Sequence, residues 1–383
     1  MISEINFFSI GDASNISTFS GVPYFFSREL QRKGIKVNRI DLSPPYFIQK
    51  WYNRIFKRLI LLINKQSSYD FSRSIWFELY KRWKIRKANR SFPLAECSIF
   101  ITYCAYNSKD EHINILFGDW TLQYLLEAHK FVDIAERLYV KRENAYIAKA
   151  DLVLSLFPLS ANYISSKVPN ANVMHLGRNV VNDYNTNHLS VEQVVGKKSM
   201  RRKILFIGRG YYIEGFIVLL RAFEELRLIL NDLELDVIGL SKREVESAIG
   251  RDVPTGVRLH GYLRKDVRDE CNLYYKLLNE ASLFVNPTPK WAGYTSMIEA
   301  MYYYTPILTS PYSEFVNEFG IELEFGRYLH ENESLADIIL SILSEDKKDY
   351  INKCLSAHML VEDYTWNHYI DALIMQINQL RKS

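Results

Sequence analysis

Apolar and polar positions along this chain alternate between two periods. INFFSI (residues 5–10) is a short apolar run, and a polar loop, GDASNISTFSG, follows it. In VPYFFSRELQRK (22–33) the apolar residues recur at helical spacing, with Pro23 near the start and Gly34 just past the end. IKVNRIDL (35–42) returns to strand character and completes a β-α-β opening. ECSIFITY and NILFGDW predict further strands, a helix is expected from about 121 to 149, and DLVLSLF predicts a buried strand. Residues 181–203 are polar, lack a sustained period, and are expected to connect two domains. The pattern then restarts with the strand KILFIG, the helix GFIVLLRAFEELRLIL and the strand LELDVIG. RLHGY, SLFVNP and PILTS supply more strands, and an amphipathic helix begins near 366. Apolar strands alternating with amphipathic helices predict parallel sheets covered on both faces.

The expected fold class is therefore α/β, with two Rossmann-like doubly wound domains facing a cleft. Residues 1–190 form the first, residues 200–365 the second, and 366–383 a helix crossing back toward the first. In such sheets ligands bind beyond the carboxyl ends of the strands, which directs attention to that cleft.

Composition supports the same picture. At 383 residues the chain exceeds one ordinary core, and its 48% apolar and 14% aromatic content excludes a disordered protein. Cys97, Cys104, Cys271 and Cys354 are scattered without CxxC spacing, which fits a reducing compartment and argues against a disulfide framework or a structural zinc site. MISEINFFSIG shows no basic segment followed by an apolar run, and LILLI (59–63) is far too short to span a bilayer. A cytoplasmic protein is expected.

Charge singles out one segment. Between Lys50 and Arg90 twelve basic residues meet only Asp70 and Glu78, whereas the rest of the chain carries 36 basic and 42 acidic residues. WYNRIFKRLILLI places Trp51, Ile55, Phe56, Leu59 and Ile60 on one helical stripe opposite Arg54, Lys57 and Arg58, and SIWFELYKRWKIRK adds aromatics among basic residues. Such a segment suits an anionic membrane surface. A helix packed on its own domain with a solvated basic face is the plainer alternative. Nucleic acid is disfavoured because the remainder is acidic.

Two stretches carry candidate chemistry. FIGRGYYIEG (206–215) has Gly208 and Gly210, but Ile213 stands where a dinucleotide fingerprint needs glycine, which counts against a nicotinamide enzyme. Arg209 remains at a strand end beside a helix start; it is either a diphosphate-binding guanidinium or a solvated loop arginine. In TSMIEAM (295–301), Ser296 and Glu299 match a capping box, with the hydroxyl capping the helix and the carboxylate reaching back. The functional alternative is an anion site on the free amides of that helix start.

FIGRG…EGFIVLLRAF and PTPKWAGYTSMIEAMYYYTPILTS together resemble the C-terminal domain of GT-B glycosyltransferases, specifically retaining family 4. FSGVPYFFSRELQRKGIKV, FGDWTLQYLLE, ENAYIAKADLVLSLFPLSANYI, VMHLGRNV and YTWNHYIDALI resemble other elements of that family, so only residues 45–95 lie outside the resemblance. The resemblance implies a metal-independent transferase of surface polysaccharide synthesis (lipopolysaccharide or capsule). It would use a UDP- or GDP-linked sugar as co-substrate, no other cofactor, and a glycan or lipid-linked acceptor. Glu299 would bind the donor ribose, and the amides around Tyr294, Thr295 and Ser296 would hold the diphosphate with Gly208 and Arg209. Gly21 would let the N-terminal loop approach the donor. Asp119 falls where such enzymes place a polar residue facing the sugar, its alternative being a strand-end turn aspartate. The chain departs from the family pattern at Trp291, where the first glutamate of E-x7-E should stand, and at Glu214, where a lysine is expected; Lys290 could restore the missing charge. These departures motivate a second expectation, a non-catalytic homologue that binds a nucleotide sugar or glycan as a partner subunit. The basic segment would hold the protein peripherally at the inner face of a membrane.

Overall fold

The computed structural model describes residues 2–63, 65, 67, 69–110, 112–127, 132–182, 190–198, 201–288 and 294–382. The chain divides into two compact units, Met1–Asn179 with Trp366–Ser383, and Val180–Thr365. Each is built on one parallel six-stranded sheet.

In the first unit the strands are β1 (Glu4–Ser9), β2 (Lys36–Asp41), β3 (Cys97–Phe100), β4 (Ile113–Gly118), β5 (Leu152–Ser155) and β6 (Val173–Met174), in the order β2-β1-β3-β4-β5-β6. Every residue of β1, β3 and β5 is buried, as both-faced cover by helices requires. The chain runs outward from β1 to β2, then returns across β1 to β3. The topological switch point thus lies between β1 and β3, and Ile5 pairs with Cys97 there. The helix Trp366–Leu380 belongs to this unit: Trp366 lies 5.7 Å from the Phe26 ring, Tyr369 meets Phe26 and Phe117 edge-on, and Lys33 bonds Asp371 at 2.6 Å.

In the second unit β7 (Lys203–Ile207), β8 (Glu234–Ile238), β9 (Val257–Leu259), β10 (Leu283–Asn286), β11 (Ile307–Thr309) and β12 (Gly326–Tyr328) follow the order β12-β11-β10-β7-β8-β9. Its switch point lies between β7 and β10, where Leu283 pairs with Ile204. Phe206, Phe216, Leu220, Phe223, Val237 and Ile339 are among the side chains of its principal core.

The structure differs from the sequence reading at several elements. The helix expected over about 121–149 is two helices, Leu122–Leu126 and Ile134–Ile147, because Asp133 and Glu136 form a capping box that starts the second. The polar segment read as a connection holds the helix Val191–Lys198, whose Lys198 is buried and donates to the Leu278 and Ala281 carbonyls and Thr305 Oγ1. The edge strands β6 and β12 are two and three residues long, too short to leave a periodic signature.

The straight stripe expected for 51–63 is interrupted by a π-helical turn, Asn53–Lys57, between the helices Tyr46–Tyr52 and Arg58–Ile63. Trp51, Ile55, Phe56 and Leu59 are nevertheless exposed, and so are Ile75, Trp76, Leu79 and Trp83 on the helix Ile75–Ser91. The segment is split: these side chains face outward, while Tyr52, Phe77 and Ile85 are buried and Ile60 is half-buried. Among the described residues no helix is long and apolar enough to cross a membrane.

Candidate functional site

Loops at the carboxyl edge of the second sheet carry most of the residues singled out by sequence. β7 ends at Ile207, and Gly208 follows with its N–H on the Ile238 carbonyl at 3.0 Å. A Cβ at Gly208 would sit 2.9 Å from both the Phe206 ring and Tyr212 Cβ, so only glycine lets the chain turn here without displacing core. Arg209 is thereby put at the strand end, exposed, with its guanidinium 4.2 Å above the Tyr262 ring. Stacking fixes the plane of the fork while leaving its N–H groups for an anion.

Beyond β10 the chain enters the helix Thr295–Tyr302; Lys290 and Trp291 lie outside the described residues. The capping box expected from Ser296 and Glu299 is absent. The helix begins two residues earlier than the motif requires, with Tyr294 at the cap position and no side-chain cap. Ser296 is already the second helical residue. Tyr294 anchors this start from within the core, its ring packed against Phe315 at 5.3 Å and its hydroxyl donating to Glu318. Met297 and Ile298 donate to the Tyr294 carbonyl, and among the described residues no acceptor meets the Thr295 and Ser296 amides. Two free N–H groups at a helix start are an anion site in waiting.

Glu299 is buried, and both of its oxygens are engaged. Oε1 accepts from Lys265 Nζ and Oε2 from Tyr274 Oη at 2.7 Å. The contact with Glu299 further raises the pKa of the Tyr274 phenol, already lifted well above its ordinary value by burial. Sequence reading missed Lys265. It stands in the loop after β9, also 4.4 Å from the Tyr274 ring centroid, 34 positions from its carboxylate partner, and no local pattern marks it. That single loop supplies Tyr262 beneath Arg209 and Lys265 beside Glu299, so it ties the β7 end to the helix after β10 across the switch point. Glu214 is exposed in the first turn of the helix Ile213–Arg227. Gly215, next to it, packs so tightly that a Cβ would fall 2.2 Å from Thr288 Oγ1.

Asp119 and Gly21 belong to the first unit. A cavity of about 340 Å³ opens at the carboxyl ends of β1, β3 and β4, lined among others by Ser9, Thr102, Tyr103, Asp119, Trp120 and Glu143. Asp119 serves as a strand-end turn residue, its Oδ1 accepting from Trp120 N–H at 2.8 Å, and also faces the cavity. Burial holds its carboxyl above the usual range. Glu143, which the sequence reading did not single out, reaches from the helix Ile134–Ile147 to accept from Leu122 N–H at 2.8 Å, capping the short helix Leu122–Leu126. Burial pushes its pKa up to about 7 despite that bond. Arg73, from the basic segment, also lines the cavity. Gly21 does not. It caps the helix Val22–Arg32 at φ +85°, a conformation that favours glycine, while Phe19 and Pro23 on either side reach the cavity.

Among the described residues no group of three His, Cys, Asp or Glu is placed to hold a metal ion.

Comparison with known proteins follows this division. Residues 201–345 match a family model described as glycosyl transferases group 1. No curated protein matches the sequence. Among solved structures, the chain is similar to a glycosyltransferase from Rickettsia africae ESF-5, with a TM-score of 0.65 at 13% identity, covering 100% of this chain and 99% of that one. WaaG, a glycosyltransferase involved in lipopolysaccharide biosynthesis, aligns with a TM-score of 0.62 at 15% identity over 97% and 99% of the two chains. Anabaena Alr3699/HepE in complex with UDP and glucose aligns with a TM-score of 0.58 at 11% identity over 97% and 99%. At these identities the shared property is the fold.

Proposed function

We propose that this chain, a GT-B glycosyltransferase by its fold and its group 1 domain, moves a sugar from a nucleotide diphosphate donor to a hydroxyl of a glycan or lipid-linked acceptor in surface polysaccharide synthesis, retaining the anomeric configuration without a metal ion. The observation that carries this reading is the convergence of Arg209, Lys265 and the free Thr295 and Ser296 amides around one sheet switch point. As the glycosidic bond breaks, negative charge gathers on the departing diphosphate. Two fixed cations and two helix amides offset it without reorganising. The acceptor oxygen bonds to the anomeric carbon from the same face, and its proton passes to the departing diphosphate. No protein nucleophile is assigned.

Glu299 retains lone pairs for the ribose hydroxyls while holding Lys265 in place. Lys265 takes the part that a lysine at 214 would play in the family. Gly21 keeps the N-terminal loop free of a side chain, and Asp119 meets a sugar hydroxyl in the first-unit cavity. The HepE complex favours UDP over GDP as the nucleotide. The exposed aromatic and basic face of residues 50–90 holds the protein on an anionic lipid surface, each basic residue contributing on the order of 1 kcal/mol.

A second reading keeps the fold and removes the chemistry. Glu214 puts an acid near the diphosphate, and both oxygens of Glu299 already have partners. A non-catalytic partner subunit would tolerate both. Thermal unfolding against UDP, GDP, CMP and NAD tests donor binding, since a ligand at a hundred times its Kd adds about 2.7 kcal/mol, and donor binding without any sugar turnover identifies the second reading. A shift with UDP that Arg209→Ala abolishes supports the donor site and justifies acceptor screening for turnover. The absence of any shift overturns the donor assignment.

A further inference from the structure

The first unit has a second cavity, of about 220 Å³, on the opposite edge of its sheet. Asn107 on its wall is fixed at the amino ends of the strands: its N–H meets Asn114 Oδ1 at 2.8 Å and its side chain donates to Ser98 Oγ at 3.0 Å. Three cations surround the space. Arg82 and Arg86 stand one turn apart on the helix Ile75–Ser91, and Lys149 faces them from just beyond the helix Ile134–Ile147. Tyr106 and Tyr146 form a stacked pair in the wall, 6.2 Å between centroids and 9° between planes.

The charge of this cavity is uneven. Glu78 is the acid beside it, and it is spoken for by Lys81 at 3.0 Å, Arg82 at 3.0 Å and the Tyr146 hydroxyl. Arg82 also donates to Tyr146 Oη at 3.0 Å, which locks its guanidinium against the wall. Asp151, felt by Tyr106, accepts the Asn114 N–H at 2.7 Å. Among the described residues Arg86 and Lys149 have no acid partner. Both are exposed, and Ser108 adds a hydroxyl at the rim.

We propose that this cavity binds the phosphate of a phosphate ester. A guanidinium fork and a facing ammonium converge on a tetrahedral oxyanion, and the tyrosine pair covers the first carbons of the esterified alcohol. The volume lies below the usual range for drug-sized ligands, about 300–1,000 Å³, so it admits a head group and excludes a nucleotide sugar. The ligand is either a lipid head group or a soluble phosphate ester. Position favours the lipid, because Arg86 lies on the same exposed helix face as Leu79 and Trp83. Only the lipid form of the proposal rests on the membrane reading given above.

The test uses the full chain, the pair variant R86Q/K149Q and a charge-matched control, K84Q/K87Q, on the same helix but outside the cavity. In the first arm sn-glycerol 3-phosphate is titrated against sodium chloride at equal ionic strength, with the unfolding midpoint as readout. In the second, each protein is mixed with phosphatidylcholine vesicles with and without phosphatidylglycerol. Wild type and K84Q/K87Q stabilised by glycerol phosphate, with R86Q/K149Q indifferent, establishes a soluble ligand. Glycerol phosphate inert, with R86Q/K149Q losing vesicle affinity about tenfold more than the control, establishes a head-group site. Equal losses in the two variants together with no glycerol phosphate effect overturn the proposal, yet leave general membrane attraction standing. Wild-type competition between glycerol phosphate and vesicles reads the same site without any substitution.

Discussion

The two sheets present their carboxyl edges to ligands in opposite electrostatic styles. At the second sheet Arg209 is exposed and stacked, Lys265 is propped by a carboxylate, and two helix amides have no acceptor among the described residues. At the first sheet the cavity encloses Asp119 and Glu143, and burial drives both carboxyls toward their neutral forms. An exposed guanidinium keeps its charge at every accessible pH, whereas a desolvated carboxyl sheds its charge and becomes a hydrogen-bond donor. The second-sheet edge carries exposed or propped cations, and the first-sheet cavity carries buried carboxyls with Arg73 among its lining.

The largest way to break this contrast is to remove the fixed charge. Arg209→Ala is expected to lower kcat/KM for the donor about a hundredfold, in the manner of a lost leaving-group donor, with an unchanged unfolding midpoint. Steady-state kinetics with saturating acceptor measures it, and an unaffected rate removes Arg209 from the donor site.

Next comes the buried acid. Glu143 has a folded pKa of about 7 against an ordinary value near 4.5, so the folded state binds the extra proton between those values. Stability from this group is present below pH 4.5 and is lost as pH rises through 7, by on the order of 3 kcal/mol. Glu143→Gln is expected to flatten that slope in denaturant unfolding measured at pH 5, 6, 7 and 8. An unchanged slope means that the carboxyl is ionised in the fold.

Lys265→Met tests whether the propped cation belongs to the donor edge. About a tenfold loss of donor affinity is expected, with a lower unfolding midpoint because Glu299 is left buried beside Tyr274 alone. Isothermal titration with UDP reads the first effect and calorimetry the second. A midpoint change without an affinity change makes the pair purely structural.

The smallest effect concerns Ser296. With no cap bond to lose, Ser296→Ala is expected to change stability by less than about 0.5 kcal/mol, where a working cap would cost about 1 kcal/mol. Urea unfolding of the two proteins decides it.

The fold was largely legible because buried parallel strands are apolar on both faces and short. INFFSI and SLFVNP announce β1 and β10 without reference to anything distant. β6 and β12 fall below the length at which a period exists, and the helix Val191–Lys198 hides in a polar segment because its burial rests largely on Val194 and a lysine. Among candidate residues, the sequence put Arg209 at a strand end and Thr295 and Ser296 at a helix start, and the structure has them there. Glu299 was placed too, but its partners were not, since its bonds to Lys265 and Tyr274 span 34 and 25 positions. The capping box misled because a helix that starts two residues early satisfies the sequence motif without making its bonds. Glu143 was invisible for a related reason. In sequence it is one polar residue in a charged helix, and only the tertiary structure buries it.

The helix Trp366–Leu380 has a consequence for how the protein is made. It seals the aromatic cluster of Phe25, Phe26 and Phe117 in the first unit, yet it leaves the ribosome after the whole of the second unit. The first sheet therefore waits, with an apolar wound open, while some 190 residues are synthesised and their own sheet can close. The last helix to emerge is the one that finishes the domain begun first, so a chain released short of Trp366 would carry a folded second unit tethered to an unhealed and aggregation-prone first.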